Sequence, residues 1–366
     1  MAAGPIGIGI IGAGTISKTY LENLTSFPDV DVLAIGDIIT DAAKAKAEEF
    51  GVGTHGGPDA VLGHDGVEMV INLTIPAVHA EVATSVIEAG KHVFNEKPLA
   101  LERVSAKALL DSAEAAGLRV GCAPDTFLGS GLQEARKIID RGDIGQPLSG
   151  LTLFQSPGPE SWHPNPAFLF AEGAGPLFDI GPYYFTTLVQ FFGSVDSVAA
   201  VGSKSREQRV IGSGPKAGET FDVTVPTHIS AAARYASGQS SQTILSFDSA
   251  AKRWLFEVNG TEGTLAVTDP NTFDGEIKII GRNDDDWKSV VKTTQLSSRG
   301  TGALEMARAI REDRPHRATG AQAYHVLDIM ESVAEAAESG DYVKINSSFD
   351  RPTLLPDDWD PKAKTL

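Results

Sequence analysis

The first third of the chain alternates short apolar runs with stretches whose apolar residues recur every three or four positions. The runs are Ile6–Ile11, Val30–Asp37, Val67–Thr74, Lys91–Glu96 and Gly117–Ala123. The periodic stretches between them, Ser17–Phe27, Asp41–Phe50, Val78–Ala89 and Glu102–Ala116, are predicted helices. Strand and helix in such strict alternation imply a parallel sheet with right-handed crossovers. Runs without polar alternation fit strands buried on both faces.

After residue 123 the pattern changes. A helix predicted at Leu132–Ile139 leads into segments of period two at 151–156, 228–236 and 241–249, which read as strands of an open antiparallel sheet. A helical stretch, Gly181–Phe192, interrupts them, and helices at Leu304–Glu312 and Ala321–Ala337 follow near the end. Segments 205–219 and 281–289 read as surface loops. The expected fold class is α/β. A doubly wound parallel sheet is expected over residues 1–123, and an α/β domain with a large, open, mainly antiparallel sheet over 124–366.

Composition narrows the function classes. A length of 366 residues supports two domains, and 42% hydrophobic with 22% charged residues is ordinary for a soluble protein. The formal net charge of −17 argues against binding nucleic acid or an anionic membrane. The single cysteine, Cys122, ends an apolar run and reads as a core residue. The N-terminal stretch MAAGPIGIGIIGAG lacks a basic leader, and no segment reaches the ~18 apolar residues of a membrane span, so a cytoplasmic protein is expected. His55, His64, His92, His228, His316 and His325 show no spacing that suggests a metal site.

Candidate chemistry begins directly after the first strand. Gly12-Ala13-Gly14-Thr15-Ile16-Ser17 matches the dinucleotide fingerprint in its required strand-to-helix context, with Ser17 at a position usually held by Gly or Ala. Gly12 serves the tight turn, and Gly14 lets the backbone of Thr15 and Ile16 approach a pyrophosphate at the helix N-terminus. Asp37, 23 residues beyond Gly14 at the end of the next strand, is near the ~20 expected of the carboxylate that accepts ribose hydroxyls. Such a carboxylate repels a 2′-phosphate, and no Arg or Lys follows it in Ile38-Ile39-Thr40, so NAD is expected over NADP. Ligands of such sheets bind at the carboxyl ends of the strands, where Thr74, Pro76, His79 and the Glu96-Lys97-Pro98 triplet fall.

Four stretches together carry a family resemblance: GIIGAGTIS (9–17), TIPAVH (74–79), NEKPLAL (95–101) and GAGPLFDIGPYYFTTL (173–188). With them the chain resembles the Gfo/Idh/MocA oxidoreductases, which pair a Rossmann domain with a C-terminal α/β domain built on a large open sheet. The resemblance implies that Lys97 lies beside nicotinamide and substrate, and that Asp179 projects into the substrate pocket. His is usual where Tyr183 stands, and members acting on sugars or dihydrodiols are similar in having Tyr there. Asp179 and Tyr183, four residues apart, are expected on one helix face.

The expected enzyme moves hydride between NAD and a secondary alcohol of a sugar, cyclitol or glycoside, with the reacting oxygen between Lys97 and Tyr183. A trans-dihydrodiol or other small-carbonyl reductase, and an NAD-binding regulator without turnover, are the alternatives. Tyr183 is the expected acid/base, with Tyr184 the rival. Glu96 is expected to fix its neighbours or bond the cofactor ribose. Trp162 and His163, in PESWHPNPAF, are expected at the cofactor and substrate rim, and Asp125 in the pocket lining. The family resemblance also implies a homodimer or homotetramer.

Overall fold

The structure, a computed structural model, describes residues 4–293 and 298–366, so the first three residues of the N-terminal stretch lie outside it. The chain forms two compact units. One comprises Met1–Ser130, Gln295–Tyr324 and Pro352–Leu366; the other comprises Gly131–Thr294 and His325–Arg351.

Unit one is built on strands β1 (Ile6–Ile11), β2 (Val30–Gly36), β3 (Thr54–Gly56), β4 (Met69–Asn72), β5 (His92–Asn95) and β6 (Val120–Cys122). Their order is β3-β2-β1-β4-β5-β6, and all pair in parallel. Every residue of β1 is buried, as a central strand with helices on both faces requires. Helices Ser17–Leu24, Thr40–Phe50, His79–Glu88 and Arg103–Ala115 lie where the periodicity predicts them, within a few residues. Strand order reverses between β1 and β4, so the carboxyl ends of these two strands flank the crevice where such sheets bind ligands.

A single boundary after residue 123 was expected, yet the chain returns to unit one twice. Backbone pairing joins the first return to β6: Cys122 N–H donates to Ala318 O at 3.0 Å, and Gly121 bridges Thr319. The second return is tied down by Arg308, in the helix Thr301–Arg311. Its guanidinium donates to buried Asp29 at 2.8 Å and to the carbonyls of Asp360 and Ala363 at 3.0 and 2.7 Å. Helical periodicity reports an apolar face but not which core that face joins.

Unit two carries β7 (Pro147–Gln155), β8 (Val195–Ser203), β9 (Gln208–Val210), β10 (Thr220–Asp222), β11 (His228–Tyr235), β12 (Ser240–Ser246), β13 (Arg253–Gly260), β14 (Gly263–Ala266), β15 (Gly275–Gly281), β16 (Lys288–Thr293) and β17 (Val343–Lys344). Nine of them form one sheet in the order β16-β15-β14-β13-β7-β12-β11-β8-β17. It is mixed but mostly antiparallel, since β7 and β12 pair in parallel. Strands β9 and β10 make a separate ribbon, and β9 lies within the segment expected to be a loop. The helix Gly181–Phe192 has the predicted bounds and is buried along its whole length. Its Tyr184 ring stacks on Phe256 of β13, which fixes the sheet face that the helix covers. Among the described residues no helix is long and apolar enough to cross a membrane, and no group of three metal-ligating side chains forms.

Candidate active site

The cofactor cradle of unit one follows from its glycines. Gly12 has φ of +109°, and a Cβ there would lie 2.6 Å from the Leu73 carbonyl, so both conformation and space require glycine. A Cβ on Gly14 would meet nothing within 4 Å, and Gly14 and Thr15 are exposed. The helix that follows has no side-chain cap, and its first N–H, that of Ser17, donates to Gly14 O at 3.1 Å, so an anion at this end meets the amides of the turn before it. Ser17, at the departure from the fingerprint, is buried and donates to Gly14 O at 2.7 Å, which tightens the turn. Asp37 closes the cradle: its Oδ2 accepts Ala13 N–H at 2.7 Å and its Oδ1 accepts Ile39 N–H at 2.8 Å. These features fit a dinucleotide.

The strands β4 and β5 bring two further segments to the same edge. Thr74 is half-buried, and its hydroxyl donates to Asn72 Oδ1 at 2.7 Å; Pro76 opens a short 3-10 turn, Pro76–Val78. Glu96 has both oxygens engaged within the unit. Oε1 accepts the buried Tyr20 hydroxyl at 2.7 Å, and Oε2 accepts Lys97 N–H at 2.9 Å. Of the two expected roles for Glu96, fixing its neighbours is the one these bonds perform. The Lys97 side chain is half-buried.

Two expected contact residues are corrected. Asp125 is 1% exposed, and its Oδ2 accepts Gly300 N–H and Gly302 N–H at 3.0 and 2.9 Å. It caps the helix Thr301–Arg311 and is withdrawn from any substrate surface. His79, expected among the cofactor contacts, is also 1% exposed, with both ring nitrogens facing backbone carbonyls.

Burial, only partly offset by the two amide donors, pushes the Asp125 carboxyl up to about 6. The unfolded value is ~3.9, so between these pH values the folded form holds the extra proton. Its contribution to stability therefore falls as pH rises through that window. Asp125→Asn keeps an oxygen acceptor without a charge and is expected to flatten that part of the Tm–pH curve. A variant curve parallel to the parent's from pH ~4 to ~6 would show that Asp125 does not titrate there.

Unit two holds Asp179, Tyr183, Trp162 and His163. Asp179 is the last residue of a short helix, Gly175–Asp179, and Tyr183 is the third of the helix Gly181–Phe192. The single helix expected to carry both is divided at Ile180, because Pro182 has no N–H to donate back along it. Tyr184 is 1% exposed, donates to Leu153 O at 3.3 Å and packs between Phe154 and Phe256. Burial drives its phenol far above the ordinary value.

Trp162 is 65% exposed, with His163 edge-on to it and Phe168 edge-on to His163. Asn165 N–H donates to His163 Nδ1 at 3.1 Å, so in the neutral ring the proton sits on Nε2. Buried Arg209 of β9 anchors this loop by pairing with Glu160 and Asp248 and donating to Pro157 O at 3.1 Å. Trp254, absent from the sequence-based set, lies two residues before Phe256 on the same sheet face and is 65% exposed. A lone Trp at a strand start carries no periodic signal.

Comparison with known proteins agrees with both units. Residues 6–123 match the oxidoreductase family with an NAD-binding Rossmann fold, and residues 132–266 match the GFO/IDH/MocA C-terminal domain. Inositol 2-dehydrogenase 3 of Saccharopolyspora erythraea is 32% identical over 43% of this chain and 47% of its own length. The dTDP-3,4-didehydro-2,6-dideoxy-alpha-D-glucose 3-reductase of Actinomadura kijaniata is 32% identical over 57% of this chain and 63% of its own length. The chain thus spans about half the length of the curated relatives it matches. A levoglucosan dehydrogenase solved with NADH and L-sorbose shares the fold, with a TM-score of 0.80 at 21% identity over 93% of this chain and 99% of its own.

Proposed function

Because this chain belongs to the GFO/IDH/MocA oxidoreductase family, we propose that it is an NAD-dependent dehydrogenase acting on a secondary alcohol of a cyclitol, sugar or glycoside. The observation that carries the reading is the shared edge in unit one. There the glycine turn, the uncapped helix, Asp37 and Lys97 all stand at the carboxyl ends of one parallel sheet. Bound NAD would supply the hydride acceptor. The protein holds the pyrophosphate on the amides of Gly14–Ile16 and the adenosine ribose on Asp37. It offers the Lys97 ammonium to the substrate oxygen. In unit two, Asp179 orients substrate hydroxyls and Tyr183 takes the alcohol proton. Trp162 and His163 supply aromatic and hydrogen-bonding surface suited to a ring with one apolar face. The substrate class is supported by the relatives' names, which are those of inositol and sugar enzymes.

The preference for NAD over NADP is supported by Asp37 together with Ile38 and Ile39, which are 88% and 64% exposed and present apolar surface instead of a cation for a 2′-phosphate. Asp37→Ala is expected to weaken NAD more than NADP, and it also removes the acceptor of Ala13 N–H that shapes the turn. Titration of both cofactors checks this. A parent that bound NADP tenfold more tightly, about 1.4 kcal/mol, would reverse the assignment.

The whole reading is tested by following NADH formation with myo-inositol, scyllo-inositol, levoglucosan and common aldoses. Turnover of at least one is expected. NADH binding with no turnover across that panel would favour a regulator that senses the cofactor.

A further inference from the structure

The His79 ring sits between two loops that the proposed reaction uses, yet it touches neither cofactor surface nor solvent. Its Nδ1 lies 2.6 Å from the Pro98 carbonyl and its Nε2 lies 3.0 Å from the Thr74 carbonyl. Its own backbone is held as well, since Asn72 Nδ2 donates to His79 O at 3.1 Å while Asn72 Oδ1 accepts from Thr74. Lys97 is thus gripped from both sides along the chain: Glu96 takes its N–H, and His79 addresses the carbonyl of the next residue.

Carbonyl oxygens only accept, and a neutral imidazole has one N–H to give. Of the two contacts, the one at Nδ1 is the shorter, 2.6 Å against 3.0 Å. Burial holds the imidazole below its ordinary pKa, against the pull of the two carbonyls and of the Glu96 charge, while the Lys97 charge adds to the lowering. With the proton on Nδ1, the neutral ring donates to Pro98 O and leaves its Nε2 lone pair facing Thr74 O.

We propose that His79 is a positioning residue for Lys97, acting through an Nδ1–H bond to the Pro98 carbonyl that fixes the backbone from which the lysine projects. The proposal rests on Lys97 being the group that meets the substrate oxygen, so its test has one arm that needs no turnover. Two-bond proton–nitrogen spectra of the parent labelled with 15N-histidine should show the His79 proton on Nδ1. A proton on Nε2 with Nδ1 bare would overturn the proposal whatever the protein's activity.

The second arm uses two amides that each replace one nitrogen: Asn reaches the Nδ1 position, and Gln reaches the Nε2 position. With whichever polyol or anhydrosugar the parent oxidises, His79→Asn should keep most of the turnover. His79→Gln should lose about 100-fold in kcat, the scale of a small misplacement of a reacting group, with NADH affinity close to the parent's. Both replacements sacrifice buried packing, so a merely structural role would lower Tm and kcat together in both variants. Equal kcat in the two variants, or a better Gln than Asn, would overturn the proposal. A parent inactive with every substrate, but with the proton on Nδ1, would count against the functional reading and leave the His79–Pro98 bond standing.

Discussion

Lys97→Met is expected to cut turnover by about 100-fold or more while leaving NAD affinity nearly unchanged, the scale of losing one donor aimed at developing charge. Methionine is close to lysine in length and flexibility, so the substitution removes the ammonium with little change in packing. The backbone under it should not move. Lys97 N–H is held by Glu96 Oε2, and the opposite Glu96 oxygen is held by Tyr20, itself fully buried on the first helix of the cofactor cradle. That chain of bonds links the glycine turn to the lysine within one unit, and Lys97→Met leaves every member in place. Steady-state kinetics and NADH titration on the same preparations separate the two effects. Full activity in Lys97→Met would remove the lysine from the reaction. Loss of NADH binding in parallel with activity would make it a cofactor contact instead.

The parallel sheet was legible because strands buried on both faces leave unbroken apolar runs, as in IGIGII at β1. Strand β3 was not, since Thr54-His55-Gly56 is short, half-exposed and without an apolar residue. In the site, legibility followed sequence distance. Gly12 and Asp37 stand out because one turn and one strand end impose their residue types, and Gly14 because it completes the fingerprint's spacing although the structure leaves room for a side chain there. Asp125 looked like a pocket residue because it follows a strand at the ligand edge, but its partners Gly300 and Gly302 lie 175 and 177 positions away. No local pattern announces a capping bond of that reach. His79 misled in the same way: a histidine opening a helix beside the cradle reads as a contact, and only burial shows its ring turned inward. The division between Asp179 and Tyr183, in contrast, was present in the sequence as Pro182, whose missing N–H ends one helix and suits the first turn of the next.

Tyr183→Phe is expected to abolish most turnover with little change in fold or NAD affinity, whereas Tyr184→Phe is expected to be nearly silent. Oxidising an alcohol releases a proton as hydride leaves, and a group within hydrogen-bond reach must take it, a contribution of about 10²–10⁴-fold in rate. The two tyrosines are adjacent, so a helix directs them ~100° apart and only one can serve. Tyr184 is committed elsewhere: its hydroxyl donates to Leu153 O, its ring is stacked on Phe256, and burial holds the phenol strongly protonated. Losing its 3.3 Å bond to a carbonyl should cost stability on the order of 1 kcal/mol and leave the chemistry alone. Tyr183 stands in the first turn of the helix Gly181–Phe192 and is 6% exposed. Tyr183→His should recover part of the activity with a lower pH optimum, because imidazole titrates near ~6.5 and a free phenol near ~10. The check is the pH–rate profile of all three variants beside the parent over pH ~6 to ~10. Tyr183→Phe matching the parent across that range would send the proton to another group, and a silent Tyr183→Phe with an inactive Tyr184→Phe would exchange their roles.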